Sequence, residues 1–388
     1  MTYFILGSHP ELSIAEINAV IGEKPIVAKS QTVLLLDEVD ENLGALQERL
    51  AGTIKIGRIV GEIFGQNHEE LVNLISMYVM EAAGKNKISY GLSVYDLGNR
   101  VGVKTLADAL KIIGLKIKKQ VKESGRPVRY VSSKEPSLSS VIVEENDLLA
   151  SGGEYVLFAR PGGVLIGQTE SVQPYKAWSL RDYGRPARNA KAGMLPPKLA
   201  RLMINLSGVS SEGNIILDPF CGSGTILMEA QLMGFTRLIG SDISEKAVND
   251  TAVNLTWLVD QFKLTPPSLA LHVSPAQEID TVVEKPVDLI VTETTLGEPR
   301  IKPLTDEQFG TTKKELLKIY DPSFHKLFTR LKQNGVMVLA LPAFKVANSY
   351  KSLNLELFFE KIGFRIEQSF LYHRPDQIVG REILVMRK

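Results

Sequence analysis

Apolar positions along this chain repeat with period two in some stretches and near 3.6 in others, and the order of the stretches marks out three sections. Residues 1–65 read as a small α/β sandwich. TYFILG, KPIVAKS, TVLLLDEV and TIKIGRIVGEIF predict strands, and PELSIAEINAVIG and ENLGALQERLAG predict helices. Ser13 and Glu16 have capping-box spacing in the first helix, and Gly22 supplies its end. That βαββαβ order is ferredoxin-like.

Residues 66–170 open with a helix, EELVNLISMYVMEAAG, and a strand, KISYGLSVYD. A basic amphipathic helix follows, VKTLADALKIIGLKIKKQVKE. Leu106, Leu110, Ile113, Ile117 and Val121 form its apolar stripe, and Lys111, Lys118, Lys119 and Lys122 lie mostly off it. The strand RPVRYVSS, a serine-rich polar stretch, and the strands EYVLFAR and VLIGQTE around Pro161-Gly162-Gly163 complete the section. Residues 171–194 have no period and mix Pro, Gly, Arg, Lys and aromatics, which predicts a basic linker. From residue 195 onward, continuous apolar strands (NIILD, TRLIGSD, VDLIVTE, NGVMVLALPAF) alternate with helices. Such strands belong to a parallel sheet covered on both faces. FRIEQSFLYHR and EILVMRK read as a closing antiparallel pair.

Composition narrows the class. With 388 residues, 44% hydrophobic and 23% charged, the chain reads as a soluble globular protein. No apolar run approaches the ~18 residues of a membrane helix, and no basic region precedes the apolar N-terminus. A cytoplasmic location away from membranes is expected. Cys221 is the single cysteine, which excludes an internal disulfide or a thiolate zinc cluster, and five scattered histidines predict no metal.

The net charge of +1 hides a segregated distribution. Lys111 to Lys134 holds eight Lys or Arg against one acid, and Lys176 to Arg201 holds seven against one. The two windows carry +13 and the remainder −12. Such separation offers a polyanion one face of a near-neutral protein. Lys118, Lys119, Arg126 and Arg129 in the first window, with Arg181, Arg185 and Arg188 in the second, are the candidate RNA contacts.

The stretch ILDPFCGSGTILMEA carries the clearest chemistry. Gly222 and Gly224 permit a sharp turn and close ligand approach, and the loop feeds a helix N-terminus. A P-loop needs Lys then Ser or Thr after its last glycine, and GTIL stands there instead. A dinucleotide fingerprint needs a third glycine where Leu227 stands. A nucleoside without a pyrophosphate fits better. Asp218, at a strand end, can accept from an ammonium, and Asp242, ending the next strand, can accept from ribose hydroxyls. S-adenosylmethionine carries both groups.

DPFCGSGT resembles motif I of the class I amino-methyltransferases. The wider run from GQTESVQPYKAW through ILMEA is similar to the THUMP-domain tRNA guanine-N2 methyltransferases, as is the opening YFILGSHPELSIAEINAV. The resemblance implies a Rossmann-like methyltransferase domain at 195–388. A ferredoxin-like module at 1–65, a THUMP-like RNA-binding module at 66–170 and the linker 171–194 would precede it. It implies S-adenosylmethionine as cofactor, held by Asp218, Phe220, Gly222, Gly224 and Asp242, and tRNA as partner. It leaves open an accessory protein subunit.

Two positions depart from the family pattern. Asp-Pro-Pro-Tyr is usual after the fourth strand, and Glu293-Thr294-Thr295-Leu296 stands here. In the implied chemistry a carboxylate and the next backbone carbonyl accept the two N–H bonds of the guanine amine, roles that fall to Glu293 and Thr294. Leu296 can pack on a base but cannot stack as tyrosine does. Where relatives place an acid for the adenine amine, SPAQE offers only Glu278. Three readings follow: a tRNA guanine-N2 methyltransferase, an RNA-binding protein that keeps a cofactor pocket with little activity, and a methyltransferase of DNA or protein glutamine.

Overall fold

A computed structural model of the chain describes residues 1–65, 67–81, 88–188, 194–374 and 377–388, which form two compact units, Met1–Lys176 and Ala177–Lys388. The first unit begins β1 Thr2–Leu6, α1 Pro10–Ile21, β2 Ile26–Lys29, β3 Val33–Leu36, α2 Leu43–Arg49 and β4 Thr53–Phe64. The strand order β2-β3-β1-β4, antiparallel throughout, is the arrangement expected of a ferredoxin-like unit. The capping box expected in α1 does not form. Pro10 starts that helix with its preset φ, after His9, which makes no side-chain cap. Ser13 Oγ instead donates to the Gly52 carbonyl at 2.8 Å, and Glu16 accepts from the amides of Ala51 and Gly52. Both residues pin the turn into β4.

The unit continues as α3 His68–Glu81, β5 Ile88–Asp96, α4 Arg100–Glu123, β6 Val128–Val131, α5 Ser140–Glu145, β7 Gly153–Arg160 and β8 Gly163–Val172. Residues 82–84 of the helix and Lys87 of the strand expected around this point lie outside the described residues. β4 is long enough to pair with β1 on one edge and with β8 along the other, so one eight-stranded sheet runs β2-β3-β1-β4-β8-β7-β5-β6. The sections expected as 1–65 and 66–170 therefore share a sheet within one compact unit. In α4 the stripe Leu106, Leu110, Ile113, Ile117 and Val121 is buried, as its spacing predicts, and packs with α3 onto β5 and β7.

The second unit holds α6 Tyr175–Tyr183 (the unit boundary falls inside this helix), α7 Pro197–Leu206, β9 Ile215–Asp218, α8 Thr225–Leu232, β10 Arg237–Asp242, α9 Glu245–Phe262, β11 Ser268–Val273 and α10 Ile279–Val282. It ends with β12 Val287–Glu293, α11 Asp306–Arg330, β13 Leu331–Val346, β14 Ser349–Lys351, α12 Glu356–Ile362, β15 Arg365–Tyr372 and β16 Val379–Arg387. The sheet order is β11-β10-β9-β12-β13-β16-β15, parallel through β13, with β16 antiparallel to both neighbours. The strand order reverses between β9 and β12, and ligands of such sheets bind outside the carboxyl ends at that point. β9 ends on Asp218 and β12 on Glu293. The connector expected to lack structure contains α6, while its residues 189–193 lie outside the described ones.

Candidate active site

The loop from β9 to α8 is held from three sides. Asp218 is almost fully buried. Its Oδ1 accepts from the Thr292 hydroxyl at 2.7 Å and from the Phe220 amide at 3.2 Å. Burial pushes this carboxyl up to about 7, opposed by those two donors. Among the described residues it has no cationic partner, so a ligand's cation would supply what the protein does not. Gly222 and Gly224 both take positive φ, 52° and 81°. A side chain at Gly222 would meet nothing within 4 Å, so its face is open to a ligand, whereas one at Gly224 would strike Thr251 of α9 at 2.8 Å. Asp242 accepts from the Gly222 amide at 3.0 Å and from the Ser244 amide at 2.9 Å, and its remaining lone pairs can take hydroxyls. Cys221 is buried, and burial pushes its thiol well up, as expected of a packed side chain rather than a nucleophile.

The connector braces this loop. Asn254 of α9, fully buried, exchanges two hydrogen bonds with the backbone of Ala187 and donates to the Ser223 carbonyl at 2.8 Å. Arg185 Nη1 donates to the Thr225 hydroxyl at 2.6 Å. Arg181 and Arg201 grip the two oxygens of buried Glu229 at 2.6 and 2.9 Å, and both guanidiniums stack on Trp178. A charged network of this kind is stable only because each charge finds a partner.

At the carboxyl end of β12, Glu293 Oε1 accepts from Arg381 of β16 at 2.8 Å. Burial raises the carboxyl of Glu293, and Arg381 pulls it back. The Thr294 amide continues the ladder to Ala340 of β13. One cleft of ≈ 720 Å³ is lined by Asp218, Phe220 and Gly222 on the β9 side, Asp242 and Ile243 from β10, and Glu293 through Gly297 from β12. A buried carboxylate awaiting a cation, an open glycine and a second acid match an amino-acid-bearing nucleoside such as S-adenosylmethionine.

Comparison with known proteins gives a consistent answer. A family described as "RMKL-like, methyltransferase domain" matches residues 185–293. The tRNA (guanine(10)-N2)-dimethyltransferase of Methanothermobacter thermautotrophicus is 26% identical over 386 residues, covering 96% of both chains. A probable enzyme of the same name from Methanothermococcus thermolithotrophicus is 32% identical over 164 residues, spanning 41% of this chain and 84% of that one. This chain belongs to the tRNA guanine-N2 methyltransferase family. TrmN from Thermus thermophilus aligns over 100% of both chains at TM-score 0.57 and 15% identity, a likeness of fold.

With this family's arrangement in place, each residue expected from the sequence can be located. Asp218, Phe220, Gly222, Asp242, Glu293 and Thr294 line that cleft, and Gly224 sits behind it as the left-handed cap of α8. Glu278 does not line it: the short turn Ala276–Glu278 directs Gln277 to the cleft and leaves Glu278 exposed. Arg181 and Arg185 must also be reassigned. Both are buried and bonded to Glu229 and Thr225, so neither presents its charge to RNA. Arg188 is exposed and lies over Tyr183. In the first unit Lys119 and Arg129 are exposed and Lys118 is half-buried, while Arg126 donates to the Met80 carbonyl. Sequence reasoning missed Arg381, Asn254 and Thr292. Their partners lie 31 to 88 positions away, a relation no local pattern records.

Proposed function

We propose that this chain methylates the exocyclic N2 of a guanosine in tRNA with S-adenosylmethionine as donor. The observation that supports the reading best is the shared cleft, in which cofactor-type groups from β9 and β10 face the acceptors at the end of β12. The relatives' names suggest guanosine 10 and two successive methyl additions. The cofactor supplies an electrophilic methyl on a sulfonium. Asp218 would hold the ammonium of its amino-acid end, and Asp242 its ribose.

A guanine N2 lone pair is delocalised into the ring and nucleophilic only when localised. Glu293 and the Thr294 carbonyl accept its two N–H bonds and aim the lone pair at the methyl group. A bound cofactor would supply the methyl group to that lone pair, the electron pair of the broken C–S bond remaining with sulfur. One N–H proton passes to the Glu293 carboxylate and on to water. Residues 1–65 and 66–170 act as ferredoxin-like and THUMP-like parts of one RNA-gripping unit, with Lys118, Lys119, Arg129 and Arg188 facing phosphate. The setting is the cytoplasm.

The bond from Arg381 to Glu293 favours a second reading, an RNA-binding protein with a retained pocket, because it occupies one oxygen of the acceptor. Tritium transfer from labelled S-adenosylmethionine to tRNA, rRNA and DNA separates the readings. Transfer to tRNA is expected, and Glu293→Gln should lower it about a hundredfold or more with the protein still folded and cofactor affinity unchanged. A parent inactive on every RNA would establish the second reading.

A further inference from the structure

The segment after Glu293 is Thr-Thr-Leu-Gly, an ordinary flexible sequence at the place where reacting groups must be held still. Ordering such a backbone costs conformational entropy, and a misplacement of about 1 Å can cost 10²-fold in rate. The sheet holds only its start, through the Thr294 amide on the Ala340 carbonyl at 3.1 Å. The rest is held from below. Tyr320, fully buried on α11, donates its hydroxyl to the Thr295 carbonyl at 2.6 Å and lies 2.9 Å from the Thr294 hydroxyl. Thr294 Oγ1 lies in turn 3.3 Å from the Ala340 carbonyl. The Tyr320 ring is locked in the core against Phe324, with centroids 5.5 Å apart. Burial pushes its phenol far up, so it remains a neutral donor.

We propose that Tyr320 is a positioning residue for methyl transfer, its hydroxyl fixing Thr294 and Thr295 so that the Thr294 carbonyl is the second acceptor for the target amine. The inference rests on the methyltransferase reading above and deepens it. With the Thr295 carbonyl taken by Tyr320, Thr294 is the neighbour of Glu293 left to accept. A consequence separates this role from general support. An unmodified guanine amine has two N–H bonds and needs both acceptors. A monomethylated amine has one and needs only Glu293.

Tyr320→Phe keeps the ring and removes the hydroxyl. Single-turnover rates are measured on unmodified tRNA and on tRNA carrying N2-methylguanosine, with cofactor affinity by calorimetry. The first addition should slow by about tenfold or more and the second by no more than about twofold, with cofactor affinity unchanged. Thr295→Pro in the Tyr320→Phe background, which restricts φ without touching the Thr294 amide, should restore part of the first rate. Thr294→Val removes the hydroxyl that meets Tyr320, leaves the tyrosine in place and should show the same first-step defect, which covers the case of an unfolded Tyr320→Phe. Equal slowing of both additions without rescue overturns the inference, as does an unchanged first addition when Glu293→Gln abolishes transfer. If neither Tyr320→Phe nor Glu293→Gln alters transfer, the methyltransferase assignment of this strand end fails instead.

Discussion

Two carboxylate–cation pairs in this protein look alike on paper and do opposite things. In the first unit, Glu154 of β7 pairs with Lys55 of β4, and both side chains are completely buried. Every oxygen is used: Ser93 donates to Oε1 at 2.5 Å and Thr169 to Oε2 at 2.8 Å, while Lys55 also donates to the Leu138 carbonyl. In the second unit, Glu293 meets Arg381, but its side chain keeps 14% exposure and lines the cleft. A third carboxylate, Asp218, is as buried as Glu154 and has no cation among the described residues. Compensation by the protein declines along this series, and the two less compensated acids are the ones that line the cleft. A saturated pair holds structure together, and an unsaturated acid is held ready for a partner from outside.

The comparison breaks most visibly at Lys55. Lys55→Met strands the Glu154 carboxylate in the core and should destabilise the protein by about 3–5 kcal/mol, read by urea unfolding. Lys55→Met with Glu154→Leu should recover much of that loss, because no charge is left uncompensated. A single variant as stable as the parent would show that water reaches Glu154.

Arg381→Met should destabilise less, by about 1–3 kcal/mol, since cleft water can solvate Glu293. Its larger signature is in pH. Burial raises the Glu293 carboxyl and Arg381 lowers it. Without the arginine the ionised acceptor forms only at higher pH. The acid limb of the transfer rate should therefore move toward alkaline pH. A profile that does not move would remove Arg381 from control of this acid.

The smallest change expected is at Asp218, and it is a gain. A carboxyl raised to about 7 binds protons in the folded state that the unfolded chain releases near its ordinary value. Stability therefore falls as pH rises through that window and is lowest above it. Asp218→Asn should raise the stability of the ligand-free protein at pH 8 by about 1–2 kcal/mol. The gain should shrink toward pH 4 in thermal scans, while S-adenosylmethionine affinity drops. Unaltered affinity would exclude Asp218 as the ammonium acceptor.

Local grammar made much of this legible. The stripe of α4, the βαββαβ order and the strand–glycine loop–helix of residues 214–235 follow from periods and turn residues within a few positions. That Asp218, Asp242 and Glu293 line one cleft follows from strand ends in a parallel sheet pointing to one edge. Charge was the poor guide. Arg181 and Arg185 look like RNA contacts in a basic window, yet their partners Glu229 and Thr225 lie 48 and 40 positions away in a run with no acidic excess. The sign of a window does not say which of its charges are already spent. Glu278 failed for a finer reason: a single turn of 3₁₀ helix decides whether position 277 or 278 faces the cleft.

The long strand β4 has a consequence for how the protein is made. Its outer partner β8 follows about 100 residues later, which at typical synthesis rates is on the order of 5–20 s. Through that interval the nascent N-terminal section carries a naked β-edge, the kind of surface that recruits other chains. Lys55 stands on that edge, and a lysine there blunts strand addition as long as water can reach it. When β7 and β8 arrive, Glu154 captures the same ammonium and the temporary guard becomes a permanent core ion. On this order of synthesis one side chain would guard the edge first and bind Glu154 afterwards.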